Sequence, residues 1–152
     1  MFVYIINTAV ITFFAKKFKA SGWPLFIWAT ILYIGATVKL NGIVLVDMLL
    51  VPISDSVLRY DQVMHIYGSA ALYVFLHSII KNKLSKGLTG AILFFSVLGV
   101  GSFNEVIEYT LIPFGLPIGD WLNMVLDMAS NIIGAIIGAA FVYFASKKGL
   151  PK

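Results

Sequence analysis

The chain alternates long apolar runs with short connections that are rich in lysine, glycine or proline. An α-helix needs about 17–25 mostly apolar residues to cross a membrane. We predict five such spans, which cover residues 2–15, 23–40, 60–80, 88–112 and 121–145. The first is short, and the second begins at Trp23-Pro24, where an interfacial aromatic precedes a proline that favours a helix start. The pattern therefore predicts an all-α membrane bundle of about five helices in a single domain.

The connection after the second span has two interpretations. Gly42 either breaks the helix and leaves Ile43–Val51 as an interfacial or re-entrant segment, or it lies within one long tilted helix. The apolar pattern is compatible with both, so the sequence leaves the structure of residues 41–59 open.

Lysine clusters predict the orientation of the bundle. They lie between the first two spans, between the third and fourth, and after the fifth, and comprise Lys16, Lys17, Lys19, Lys81, Lys83, Lys86, Lys147, Lys148 and Lys152. With five alternating spans all three clusters fall on one side, and lysine-rich short loops stay in the cytoplasm. We therefore expect the N-terminus outside and the C-terminus in the cytoplasm, with only Lys39 and Arg59 on the outer side.

Composition supports the membrane assignment and excludes several kinds of chemistry. The chain is 60% hydrophobic and 12% charged, whereas soluble domains have about 25% charged residues. There is no cysteine, which excludes disulfides, thiolate metal sites and thiol catalysis. Because loop lysines account for the net charge of +4, we expect no nucleic-acid partner. The expected partners are membrane lipids and other membrane subunits, and the expected location is a prokaryotic cytoplasmic membrane.

Acidic residues and one histidine in the last three spans carry the main functional signal. Asp61 and His65 are four residues apart, and Glu105 and Glu108 three apart, so each pair shares a helix face. Asp127 lies about two turns into the last span. Because neighbouring spans alternate in direction, all five side chains are expected at the same outer-leaflet end. Four polar residues are expected to surround them: Asn104, Asn123, Asn131 and Asp120.

Three interpretations of this cluster are open. A charge near the centre of a bilayer costs about 2.5–3.5 kcal/mol, so such groups are usually paired, ligated or functional. The carboxylates and the imidazole suit a divalent ion such as Mg, Mn, Fe or Zn. Alternatively, the carboxylates share protons or accept hydrogen bonds from the asparagines, and no metal is needed. A third possibility is a basic partner, Arg59 or Lys39. None of the three identifies a catalytic residue.

Two glycines of the last span are expected at a contact between helices. Gly134 and Gly138 are four residues apart, as in small-residue faces that allow close helix packing. They continue the stripe that carries Asp127 and Asn131, whose polar side chains cannot face hydrocarbon without a large cost. The glycines should therefore face other helices and not lipid.

Three segments also resemble a known pattern. They are Tyr60–His65, Glu105–Glu108 and Asp127–Gly138. Together they are similar to the VanZ-like superfamily of small bacterial and archaeal membrane proteins, in its uncharacterised branch. The family pattern has Asp-xxx-His at a helix start, an acidic residue followed three later by Gln or Glu, and Asp-xxx-Asn-xx-Gly-xxx-Gly. The resemblance covers the last three spans and implies a small polytopic membrane protein. It supplies no biochemical activity.

Two functions are compatible with these features. The first is an enzyme or binding protein that acts on a lipid or envelope head group, with a metal held by the carboxylates. The second is a non-catalytic accessory subunit of a larger membrane complex, whose acids form a structural network. The convergence of acids favours the first, and the small size of the chain favours the second.

Overall fold

The computed structural model describes residues 9, 12–13, 15–18, 22–45, 49–54, 57–81, 83–111 and 121–147. Its four long or medium helices are α1 (Trp23–Thr37), α2 (Tyr60–Ile80), α3 (Lys86–Leu111) and α4 (Trp121–Lys147). The described residues between positions 9 and 18 are helical as well. The predicted all-α class is therefore confirmed, and the only additions in the described part are two short β-ribbons between α1 and α2.

The helix boundaries follow the apolar runs closely. Helix α2 coincides with the third predicted span, and α3 and α4 extend the last two by only two residues at their lysine-rich ends. The first span needs a correction, because Lys16 and Lys17 are helical and do not lie in a connecting loop. Lysine is a good helix former, and its long stem reaches the membrane surface from within a helix.

The connection after α1 is a tight hairpin. Helix α1 ends at Thr37, and β1 (Lys39–Leu40) pairs antiparallel with β2 (Ile43–Val44). At the turn, Asn41 has φ 53° and Gly42 has φ 84°. Positive φ at both turn residues is the geometry that Asn-Gly favours in two-residue hairpins. The interpretation of a single long helix through Gly42 is therefore wrong. A second ribbon pairs β3 (Leu49–Ser54) with β4 (Val57–Arg59), and Asp47 lies outside the described residues.

Helix α2 is central and contacts α1, α3 and α4. The contact between α2 and α4 is close because two glycines of α4 face α2. A Cβ atom on Gly134 would collide with the carbonyl oxygen of Ile66, and one on Gly138 would lie 2.7 Å from Tyr73 Cβ. Small residues allow two helix backbones to approach within membranes. These two glycines therefore set the distance between α2 and α4.

Helix α3 buries one stripe of residues at four-residue spacing. The stripe consists of Thr89, Leu93, Val97, Gly101 and Glu105. Leu93 and Val97 form a core cluster with Tyr73 of α2 and Ala135 of α4. Because residues four apart share a helix face, the packing that buries Leu93 and Val97 also carries Glu105 into the interior.

Helix α1 is fastened to α2 by two side-chain hydrogen bonds. The indole N–H of Trp28 donates to the carbonyl oxygen of Met64 at 3.0 Å. The hydroxyl of Tyr60 donates to the carbonyl oxygen of Ile31 at 3.1 Å. These bonds hold the end of α1 beside the start of α2, where the candidate site lies.

Three of the described helices, α2, α3 and α4, are long and apolar enough to cross a membrane, and α1 is shorter. Their outer surfaces carry large apolar side chains, such as Phe95, which is 70% exposed, and Phe103, which is 65% exposed. Such extensive exposed apolar surface is typical of a face that contacts lipid. At the opposite end from Tyr60, the ammonium groups of Lys17 and Lys83 each lie 5.8 Å from the ring of Phe18. Two of the lysine clusters therefore meet at one end of the bundle.

Orientation can be tested with single cysteines at two exposed positions, since the chain has no cysteine. Asn41 lies in the hairpin after α1 and Ser85 precedes α3, so α2, about 30 Å long, separates them. We expect a membrane-impermeant maleimide to label Asn41→Cys on intact cells. Ser85→Cys should be labelled only after permeabilisation, because lysine-rich loops stay in the cytoplasm. Labelling of both positions from the same side would contradict this topology.

Candidate functional site

The candidate site lies where α2 and α4 begin and α3 ends. Asp61 is in the first turn of α2, Asp127 lies about two turns into α4, and Glu105 is near the end of α3. Helices α2 and α4 run parallel and α3 runs antiparallel to both, as the contacts of Gly134 and Gly138 with successive turns of α2 require. The three acids thus come to one end, and the described lysines other than Lys39 lie at the other.

His65 is the centre of the site. Its Nε2 atom lies 3.7 Å from Asp61 Oδ1, one helical turn earlier. Its Nδ1 atom lies 3.6 Å from Glu105 Oε1 of α3 and 3.4 Å from Asn131 Oδ1 of α4. One ring nitrogen therefore faces α2 itself, whereas the other faces the two neighbouring helices.

Asp127 completes the cluster from α4. Its side chain is fully buried, and its Oδ2 accepts a hydrogen bond from Asn123 Nδ2 at 2.6 Å. Asp61, His65 and Asp127 each offer one ligand atom, and these three atoms lie within 4.8 Å of one another. Two carboxylates and an imidazole at this separation can share a cation or a hydrogen-bond network.

A polar layer one turn deeper supports the cluster. Ser69 Oγ donates a hydrogen bond to Asn131 Oδ1 at 2.7 Å, and both side chains are buried. Gly101 of α3 makes room for this asparagine, since a Cβ atom there would lie 2.6 Å from Asn131 Nδ2. Gly101 is not among the site residues predicted from the sequence, although the four-residue spacing from Leu93 through Val97 to Glu105 indicates its place in the buried stripe.

The solvent-exposed fraction of the side chains decreases from Asp61, through His65, to Glu105 and Asp127. The side chain of Asp61 is 25% exposed and that of His65 is 13% exposed. Glu105 is 3% exposed and Asp127 is not exposed. Asp61 is therefore the most exposed of the four side chains.

The predicted site residues do not all join this cluster. The structure brings together Asp61, His65, Glu105 and Asp127, with Asn123 and Asn131 in hydrogen-bond contact. Asn104 is exposed and does not belong to the buried layer. Lys39, one of the proposed basic partners, is also exposed. The side chain of Glu108 and the whole of Asp120 lie outside the described residues.

A family model described as "Predicted membrane protein (DUF2238)" matches residues 1–148. The chain belongs to this family. The DUF2238 match extends over all the described helices, and its membrane character agrees with the apolar lengths of α2, α3 and α4. The DUF2238 description does not mention the VanZ-like superfamily. No curated protein and no solved structure matches the chain.

Proposed function

We propose that this DUF2238 protein binds a divalent metal ion at the outer end of its bundle, with Asp61, His65 and Asp127 as ligands. The observation that carries the proposal is the approach of three ligand atoms from two helices to within 4.8 Å of one another. An ion with ligand distances of about 2.0–2.2 Å keeps two ligand atoms within about 4.4 Å. Binding therefore requires only a small closing of the site.

The donor set narrows the choice of ion. Imidazole nitrogen suits Fe and Zn, and carboxylate oxygen also suits Mn, whereas Mg prefers oxygen ligands alone and keeps several waters. We therefore favour Mn, Fe or Zn over Mg. A divalent charge also compensates the cluster of carboxylates, which would otherwise repel each other in a medium of low dielectric constant.

Three protein ligands leave coordination positions open. Catalytic zinc sites have this arrangement, whereas structural zinc sites have four protein ligands. The partly exposed side chain of Asp61 leaves a route for an oxygen ligand from outside the bundle. We propose that the ion acts on a lipid or envelope head group at the outer face of a prokaryotic cytoplasmic membrane.

The two histidines of the chain offer a matched test. Both lie on α2, but His77 is about three turns from His65, in the last turn of the helix. Protein purified with a histidine-free tag should bind about one Zn²⁺ per chain in a calorimetric titration. His65→Asn should abolish this binding, because an amide is a poor substitute for imidazole, and His77→Asn should preserve it. Equal loss in both variants, or no binding by the parent protein, would refute the metal site.

A metal-free accessory subunit is the second candidate, favoured by the hydrogen bonds of the site. Asn123 already donates to Asp127 at 2.6 Å, and Ser69 donates to Asn131 at 2.7 Å. Buried polar groups in native proteins are usually satisfied in this way. In that case the acids would stabilise the bundle, other membrane subunits would be its partners, and the parent protein would bind no metal in the same titration.

A further inference from the structure

We infer that Glu105 and Asn131 are positioning residues, which hold His65 so that it binds the metal through Nε2. The inference rests on the proposed metal site. It goes beyond that site because it gives Glu105, which the sequence places among the candidate ligands, a different role. In the structure, Glu105 faces the ring nitrogen that points away from Asp61. It does not belong to the three side chains whose ligand atoms lie within 4.8 Å of one another.

Two acceptor oxygens flank Nδ1 of His65. Asn131 Oδ1 lies 3.4 Å away and Glu105 Oε1 lies 3.6 Å away. An amide oxygen and an ionised carboxylate only accept hydrogen bonds. Ser69 Oγ donates to the same Asn131 oxygen at 2.7 Å, which orients the amide with its oxygen towards the ring. These neighbours favour the tautomer of neutral His65 that carries its hydrogen on Nδ1.

This tautomer leaves the lone pair of Nε2 on the side of Asp61. Nε2 and Asp61 Oδ1 lie 3.7 Å apart, and both atoms are electron-rich. A cation placed between them, with Asp127 as the third ligand, stabilises both. Histidines that bind metals almost always donate their other N–H to a carboxylate or carbonyl, which fixes the tautomer and raises the basicity of the ligand.

Burial separates the two sides of the imidazole. Glu105 is 3% exposed and Asn131 is 4% exposed, whereas Asp61 is 25% exposed. The packing of α3 and α4 therefore buries the Nδ1 side, whereas the Nε2 side faces the more exposed carboxylate of Asp61. An ion that enters from outside meets Asp61 and Nε2 of His65. Glu105 affects the ion only indirectly, by holding the imidazole ring from its Nδ1 side.

The tautomer of His65 can be measured directly. His77→Asn leaves His65 as the only histidine of the chain, so ¹⁵N-histidine NMR of this variant reports on one ring. We expect Nδ1 to carry the hydrogen and Zn²⁺ to shift the resonance of Nε2 while Nδ1 stays protonated. Adding Glu105→Gln should raise the fraction of the Nε2–H tautomer. The inference would be overturned if Zn²⁺ bound Nδ1 of His65, or if Nε2 carried the hydrogen in zinc-free His77→Asn with Glu105 intact.

Metal affinity gives the second measurement. Glu105→Gln should weaken Zn²⁺ binding about 10–100-fold, as is typical for the loss of an outer-shell partner, and should leave one ion per chain. Ser96→Ala is the control, because Ser96 is an exposed polar residue of the same helix, about two and a half turns from Glu105, and its loss should not change the affinity. Complete loss of the ion in Glu105→Gln would show that Glu105 is a ligand, and the metal site would stand. Absence of Zn²⁺ binding by the parent chain would overturn both proposals.

Discussion

Replacing Asp127 with asparagine is expected to lower the affinity for Zn²⁺ by more than about 100-fold, beyond the effect of losing an outer-shell group. Asp127 is fully buried and is one of the three proposed ligands. Asparagine has nearly the same shape and can still accept the 2.6 Å hydrogen bond from Asn123, but its amide oxygen is neutral and a weaker ligand. A calorimetric Zn²⁺ titration measures the loss, and circular dichroism checks that the helices are retained.

Ser130→Ala is a suitable control for Asp127→Asn. Ser130 is a buried polar residue of the same helix and does not belong to the three proposed ligands, so the variant should retain full affinity. The same pair of variants also separates the two proposed functions. In a metal-free network, Asp127→Asn should be neutral or stabilising, because burying an ionised carboxylate costs more than burying an amide. A stabilised variant from a parent that binds no zinc would support the accessory subunit.

Replacing Gly138 with leucine is expected to lower the free energy of unfolding by about 1–3 kcal/mol, through overpacking. Even a Cβ atom at this position would lie 2.7 Å from Tyr73 Cβ and 2.9 Å from the carbonyl oxygen of Ala70. A leucine must therefore push α2 and α4 apart. Unfolding by SDS in mixed micelles, followed by circular dichroism, measures the change.

Gly99→Leu provides the matched control for Gly138→Leu. Gly99 lies within α3, and nothing surrounds the position that its Cβ atom would take. Leucine is a better helix former than glycine by about 0.5–1 kcal/mol, so this variant should be neutral or more stable. If both leucines had the same effect, the close contact between α2 and α4 would be refuted.

The contact at Gly134 and Gly138 also explains how the site is held. Asn131 is on the same face of α4, one turn before Gly134, and it touches Ser69 and His65 of α2. A change in the distance between α2 and α4 therefore changes the distance between His65 and Asp127. We consequently regard the glycines as part of the framework that determines the geometry of the site.

Much of the fold could be predicted from periodicity and length. The ranges of α2, α3 and α4 follow from uninterrupted apolar runs, because a helix that faces lipid cannot contain exposed polar backbone. The hairpin at Asn41 and Gly42 is not among the predicted structures, although Asn-Gly is a strong turn signal. Its neighbours are apolar, so the pattern is equally compatible with a break at Gly42 and with one long helix.

By itself, the sequence determined that several acids and His65 would lie at one end of the bundle. Spacing within a helix places Asp61 beside His65, and alternating direction brings Glu105 and Asp127 to the same depth. The sequence could not show which of these side chains approach one another, because nothing local specifies the rotation of one helix about its axis relative to the next. Only the tertiary structure decided that Asp127 approaches Asp61 while Glu105 faces Nδ1 of His65. Close packing between helices, at small residues such as Gly101, sets that rotation.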